Sequence, residues 1–150
     1  MDQEYIDQFT LVIDKDTLDR YNEYYFTKYP RRKKPPLTRP VHESLNVWAI
    51  MTSMARNNLK QKWKEFVVWW IGSMQLSSIE ECDIRFNSVM PTKRRADPDN
   101  MVPKFILDGI VESGLLSDDD SLHLRNLILC CSYDKGQPRT EITFYVRKYA

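Results

Sequence analysis

Seven apolar residues, Leu59, Trp63, Phe66, Val67, Trp70, Ile71 and Met74, recur at intervals of one, three and four along one stretch of the chain. That spacing puts them on one face of a helix spanning residues 56–74. Two tryptophans and a phenylalanine on a single stripe must be buried, so the helix needs a surface to lie on. The chain supplies that surface as strands. Cys82, Ile84 and Phe86 alternate with Asp83, Arg85 and Asn87, and Ile142, Phe144 and Val146 alternate with Thr143, Tyr145 and Arg147. Period-two alternation marks half-buried strands, here over residues 79–89 and 139–149. Residues 9–13 and 122–132 add two further β-rich runs, and Asp134-Lys135-Gly136-Gln137-Pro138 reads as a hairpin turn between the last two strands.

A second helix is expected over residues 101–113. Asp99 or Asn100 would cap it, Pro103 would be tolerated in its first turn, and Gly114 would stop it. Val102, Phe105, Ile106, Gly109 and Ile110 give it a wide apolar face. A short helix from Thr17 is possible in the tyrosine-rich segment 16–29. The expected order is strand, helix, strand, helix, strand, strand. That is an α+β domain with a small mixed β-sheet and packed helices. At 150 residues, with 42% hydrophobic and 29% charged, the chain suits one globular domain over 1–150.

No apolar run is long enough to span a membrane, and Met1-Asp2-Gln3-Glu4 lacks the basic and apolar regions of a signal peptide. Three cysteines, Cys82, Cys130 and Cys131, have no zinc spacing and read as free thiols of a reducing compartment. A cytoplasmic protein without a membrane partner is expected.

Between Tyr29 and Pro40, four of twelve residues are proline and five are basic. Proline at this density forbids a regular helix and favours an extended arm. Such an arm is either a solvated linker or, through Arg31, Arg32, Lys33 and Lys34, a contact to a phosphate backbone. Lys60 on the long helix, and Arg94 and Arg95 before the acidic motif, extend the candidate phosphate-binding set.

The chemistry concentrates in Asp97-Pro98-Asp99-Asn100, in Lys104, and in Asp118-Asp119-Asp120. Carboxylates this dense repel; at about 4 Å each unit pair costs roughly 4 kcal/mol at the effective dielectric of a protein surface. Lysine, arginine or a hard oxygen-seeking cation such as Mg2+ or Mn2+ would offset that. An EF-hand is excluded, because Met101, Val102 and Asp108 stand where its carboxylate, glycine and glutamate belong. Zinc is not suggested, with no histidine or cysteine nearby in sequence. Lys104 reads either as an i,i+4 surface partner of Asp108 or as a cation for charge developing on a phosphate. His42 and His123 read as structural residues.

Taken as an ordered set, Asp97-x-Asp99-Asn100, Lys104 with Phe105-Ile106-Leu107-Asp108, and Gly114-Leu115-Leu116-Ser117-Asp118-Asp119 resemble the RusA family of Holliday junction resolvases of phages and prophages. Ser44-Leu45-Asn46 resembles that family's early asparagine loop. The resemblance implies a RusA-like homodimeric crossover junction endodeoxyribonuclease that uses Mg2+ or Mn2+ to cut paired strands of four-way DNA junctions. It implies Asp97, Asp99 and Asp119 as catalytic metal-holding aspartates, Asp118 as their acidic neighbour, Lys104 as the catalytic lysine, and Asn46 at the DNA. The chain departs from the family in having an extra residue before Lys104, in Pro103, and in the long 14–41 segment. Other substrates within the same chemistry are a flap or fork. Outside it, the alternative is a non-catalytic DNA-binding or replication-accessory module.

Overall fold

The computed structural model describes residues 5–94 and 97–148. Strand β1 (Tyr5–Ile13) leads through Asp14 into helix α1 (Lys15–Lys28). Asp14 caps α1 by accepting the Thr17 backbone N–H. Leu18, Tyr21 and Tyr25 bury one face of α1, and the Tyr21 ring meets Phe66 edge-on at 5.1 Å. The possible short helix from Thr17 is therefore a helix of 14 residues.

Residues 29–44 carry no regular structure, as proline dictates, but they are not a free linker. Leu37, Val41 and His42 are buried, and Thr140 Oγ1 donates to the Pro40 carbonyl at 2.6 Å. Short α2 (Leu45–Ala49) follows, capped by Ser44, then α3 (Ser53–Gly72), capped by Thr52. Helix α3 buries Trp63, Phe66, Val67, Trp70 and Ile71, the stripe that the spacing predicts. Each such side chain contributes about 1.5–3 kcal/mol on leaving water.

Strand β2 (Cys82–Met90) leads to a 3-10 turn at Pro98–Asn100, helix α4 (Lys104–Glu112), strand β3 (Leu124–Tyr133) and strand β4 (Arg139–Arg147). The sheet order is β1-β4-β2-β3; β4 is antiparallel to β1 and β2, and β3 is parallel to β2. The α+β class with a four-stranded mixed sheet is thus as expected.

Three local expectations are corrected. The β3–β4 connection is not a hairpin, because β2 lies between the two strands. Residues 134–138 do form a turn, with Asp134 accepting the Gly136 and Gln137 N–H groups. The turn crosses the end of β2, however, where the Asp134 N–H bonds the Met90 carbonyl at 3.0 Å. Alternating residues specify a strand's face, not its neighbour. Second, neither Asp99 nor Asn100 caps α4; Pro103 is its N-cap residue, with no side-chain bond. Third, β2 is not half-buried. Both its neighbours cover it, and Asp83 on its outer face is 3% exposed, held by Arg147 at 3.0 Å, Asn126 at 3.1 Å and the Tyr5 hydroxyl. Ile79 lies outside β2 and makes an isolated bridge to Leu116.

Two glycines matter to the path. Gly114 at φ +84° ends α4 in the left-handed region. Gly109 lets α4 approach α3, since a Cβ there would stand 2.6 Å from Val67 Cβ. No described helix is long and apolar enough to cross a membrane.

Candidate functional site

Helix α4 and the turn before it carry the acidic motif, and two contacts tie distant segments to it. The Asn46 backbone N–H donates to Asn100 Oδ1 at 3.0 Å, which joins the Ser44-capped turn to the Asp-x-Asp-Asn stretch. Asn100 thus clamps two segments; it lies in the 3-10 turn, three residues before the α4 N-cap, and so is out of capping position. At the start of α4, Lys104 Nζ lies 3.3 Å from Asp108 Oδ1 and 3.8 Å from Asp119 Oδ2. Lys60 Nζ of α3 stands 3.8 Å from Asp108 Oδ2. Lys60, Asp108, Lys104 and Asp119 therefore form a row of alternating charge, and the two lysines offset the repulsion between carboxylates. Lys104 thus pairs within its own helix, as the i,i+4 spacing predicts, and also reaches the second acidic cluster.

The three consecutive aspartates have different surroundings. Asp120 Oδ1 accepts the Leu122 and His123 N–H groups and lies 2.7 Å from His123 Nδ1. The His123 bond holds the Asp120 carboxyl below its usual range, and in return raises the His123 imidazole. Asp118 Oδ1 accepts the Asp119 N–H at 2.7 Å. Of the three, Asp119 is the one that stands within ion-pair distance of Lys104.

Asp97 begins the 3-10 turn in extended conformation, and Asp99 lies within that turn, exposed. The turn packs against β3. Burial chiefly, with the neighbouring Cys130 and the Asp97 charge, raises the Cys131 thiol. A cysteine thus stands near the acidic motif in space although none does in sequence. Cys82, Cys130 and Cys131 are free thiols.

The donor set Asp97, Asp99, Asp118 and Asp119 is all carboxylate oxygen, the chemistry of Mg2+ or Mn2+. Among the described residues, however, no three Asp, Glu, His or Cys side chains converge as an ion-holding group.

The candidate phosphate-binding residues are dispersed. Arg31, Lys33 and Lys34 are exposed on the arm. Arg32 is committed to the fold: its guanidinium donates to the Tyr25 hydroxyl at 2.8 Å and lies 4.6 Å from the Tyr29 ring centre. Lys60 is shared with Asp108. Arg94 is exposed and Arg95 lies outside the described residues.

Beside Lys104 opens a cleft of about 500 Å³, framed by α2, the first turns of α3 and the start of α4. Trp48 and Phe105 meet in its wall edge-on at 6.0 Å, and Arg56, Lys60 and Lys104 stand at it. Sequence reasoning missed His42, Trp48 and Arg56 as a group. The available signal was Ser44 as a helix cap directly before Leu45 and Trp48; nothing in the spacing linked that turn to Phe105. A scan against known protein families and a search of curated proteins found no match to this chain.

Proposed function

We propose that this chain is a divalent-metal-dependent endonuclease of RusA type acting on branched DNA, with four-way junctions as its substrate. The observation that carries this reading is the meeting of three segments distant in sequence. Asn46 contacts Asn100, and Lys104, four residues beyond Asn100, contacts Asp119. These belong to the same set of residues on which the family resemblance rests.

Mg2+ commonly uses only one or two carboxylates together with substrate phosphates and water, so a dedicated cage in the free protein is not required. Asp97, Asp99, Asp118 and Asp119 are the residues that would hold the ion, which when bound supplies Lewis-acid activation of the phosphate and a more acidic water. Lys104 would exchange part of its pairing with Asp119 for a phosphate oxygen, neutralising charge there. Asn46 and the exposed Arg31, Lys33, Lys34 and Arg94 would take the backbone, which orients DNA without reading sequence.

A homodimer fits a task that cuts two strands of a symmetric junction. Edge strand β3 would offer an unpaired edge for it: among the described residues no strand pairs with its outer side, and Leu127 and Ile128 on that strand are exposed. Sedimentation showing only monomer at micromolar concentration, with full paired cutting, would remove the dimer.

One observation favours a module that binds DNA without cutting it: Asp118 and Asp120 are already engaged by local hydrogen bonds. Incubating the purified protein with a labelled four-way junction, a flap and a fork, with and without Mg2+, separates the readings. Symmetric nicking of the junction in Mg2+ supports the proposal. Binding without cutting in any metal overturns the enzyme, and preferred cutting of the flap or fork overturns the junction.

A further inference from the structure

We infer that the cleft beside Lys104 receives one unstacked nucleobase of the bound DNA strand. The inference rests on the DNA-binding reading above and adds to it a base-accepting site. The cleft volume of about 500 Å³ lies within the usual range of small-ligand sites. Its wall is largely apolar and contains the rings of Trp48 and Phe105 with Val102 and Leu45. Aromatic side chains accept any base by stacking.

Two lining residues carry polar atoms that the fold leaves unused. His42 is 5% exposed; its Nδ1 lies 3.0 Å from the Glu43 carbonyl, and its Nε2 is buried with no hydrogen-bond partner. A carbonyl only accepts, so Nδ1 carries the proton and Nε2 is a vacant acceptor in the neutral ring. Burial lowers the His42 pKa and keeps the ring neutral. The buried Trp48 Nε1–H is a donor with no acceptor. Buried polar atoms are normally paired. A nucleobase edge presents donors and acceptors together and would satisfy both atoms once the walls part to admit it, since neither is exposed in the free protein.

Charge agrees with the same occupant. Arg56 lies 5.1 Å from the Trp48 ring centre, and Lys60 and Lys104 flank the cleft with Asp108 between them, so the phosphates on either side of an inserted base would compete with Asp108 for the two lysines and meet Arg56 directly. An apolar peptide would satisfy the walls but not these cations.

The test measures junction affinity in EDTA by fluorescence anisotropy, with a single abasic site moved along each strand near the branch point. In the parent, one position should weaken binding by about 5- to 150-fold, the range for one base stacked on an aromatic side chain. In Trp48→Leu, which keeps apolar bulk without a flat ring, affinity for the intact junction should fall by a similar factor and the abasic penalty should vanish. Trp48→Phe should retain most of it. Circular dichroism melting of each variant separates unfolding from lost stacking, and the parent scan stands without any variant. Tight junction binding with no abasic penalty at any position overturns the base site while leaving the nuclease reading intact. A penalty unchanged in folded Trp48→Leu does the same. A penalty without Mg2+-dependent cutting keeps the base site and removes the nuclease. Loss of a dimer in Trp48→Leu with junction affinity unchanged assigns the cleft to a second copy, and failure to bind any DNA overturns both proposals.

Discussion

Lys104 Nζ stands 3.8 Å from Asp119 Oδ2, across the whole of α4 and the turn that follows it. The lysine is 57% exposed and the aspartate 31%, so solvent screens the pair, which contributes at most about 1 kcal/mol to stability. Fifteen positions of sequence separate a cation and an anion that the fold nevertheless sets side by side. A contact weak in energy but specific in place is what a site needs and a core does not.

Asp119→Asn should therefore fold with stability within about 1 kcal/mol of the parent. In Mg2+ it should lose junction cutting by about 100-fold or more, as removal of a charge-stabilising group does. Asp97→Asn and Asp99→Asn should behave alike, and all three should bind junction in EDTA at least as tightly as the parent, since a negative charge near phosphate has gone. Single-turnover cleavage and chemical melting on the same preparations check this. Full metal-dependent cutting by a folded Asp97→Asn protein would end the catalytic assignment.

Replacing Gly109 with alanine should destabilise the fold by about 1–3 kcal/mol, because the new methyl meets Val67 Cβ at 2.6 Å and α3 must move away from α4. The pair Gly109→Ala with Val67→Ala should recover part of that loss. Urea unfolding of the three variants measures the coupling.

Asp83 is the carboxylate most committed to the fold. Burial pushes its pKa upward, but hydrogen bonds from Arg147, Tyr5 and Asn126 outweigh burial and hold it below the usual carboxylate range. Asp83→Ala should cost about 3–5 kcal/mol by removing the buried carboxylate that Arg147, Asn126 and Tyr5 all hold, and Asp83→Ala with Arg147→Met should be less damaging than Asp83→Ala alone. For a carboxyl with depressed folded pKa, the contribution is present above its unfolded value of 3.8 and is lost as pH falls below that. Urea midpoints between pH 2 and pH 7 should show a larger loss in the parent than in the double variant, which keeps the other depressed carboxyls such as Asp120.

The histidines should titrate on opposite sides of 6.5. His42 is lowered by burial, only partly opposed by the Glu43 carbonyl, and His123 is raised by its bond to Asp120. For His42, the unfolded chain takes up a proton near 6.5 before the folded one does, so stability is lost as pH falls through that value. For His123 the contribution is full below 6.5 and disappears as pH rises through the higher folded value. Imidazole proton NMR should resolve the two, and Asp120→Asn should bring His123 back toward 6.5. A single shared midpoint would contradict both assignments.

Junction affinity should fall with salt, with a slope near −0.9 per phosphate neutralised. Replacing Arg31, Lys33 and Lys34 with serine should flatten that slope by up to about 2.7, three such contacts. Arg32→Ser should act differently and lower the melting temperature as well, because Arg32 holds Tyr25 and Tyr29. An unchanged slope in the triple variant would make the arm a structural strap only.

Local periodicity determined much of this molecule without reference to the rest of the chain. Trp63, Phe66 and Trp70 could be placed on one helix face, Ile84 and Phe86 on one strand face, and Gly114 at a helix end, because those outcomes depend on bond geometry within a few residues. Strand neighbours are not local. The alternation in β3 and β4 is compatible with a hairpin, and only the competition for β2, whose two edges pair with both strands, separated them. Asn100 followed the same rule: its side chain suits a helix cap, yet the helix begins only at Lys104, and the fold brought the Asn46 N–H within reach instead. The acidic residues were legible as types and as an ordered set. Which of the three consecutive aspartates faces Lys104 was decided by the turn before β3, where Asp120 is taken by His123 and its own backbone and Asp119 is left toward the helix. The cleft at Trp48 had only the Ser44 cap as a trace in sequence, since its walls come from α2, α3 and α4 and meet only in the tertiary structure.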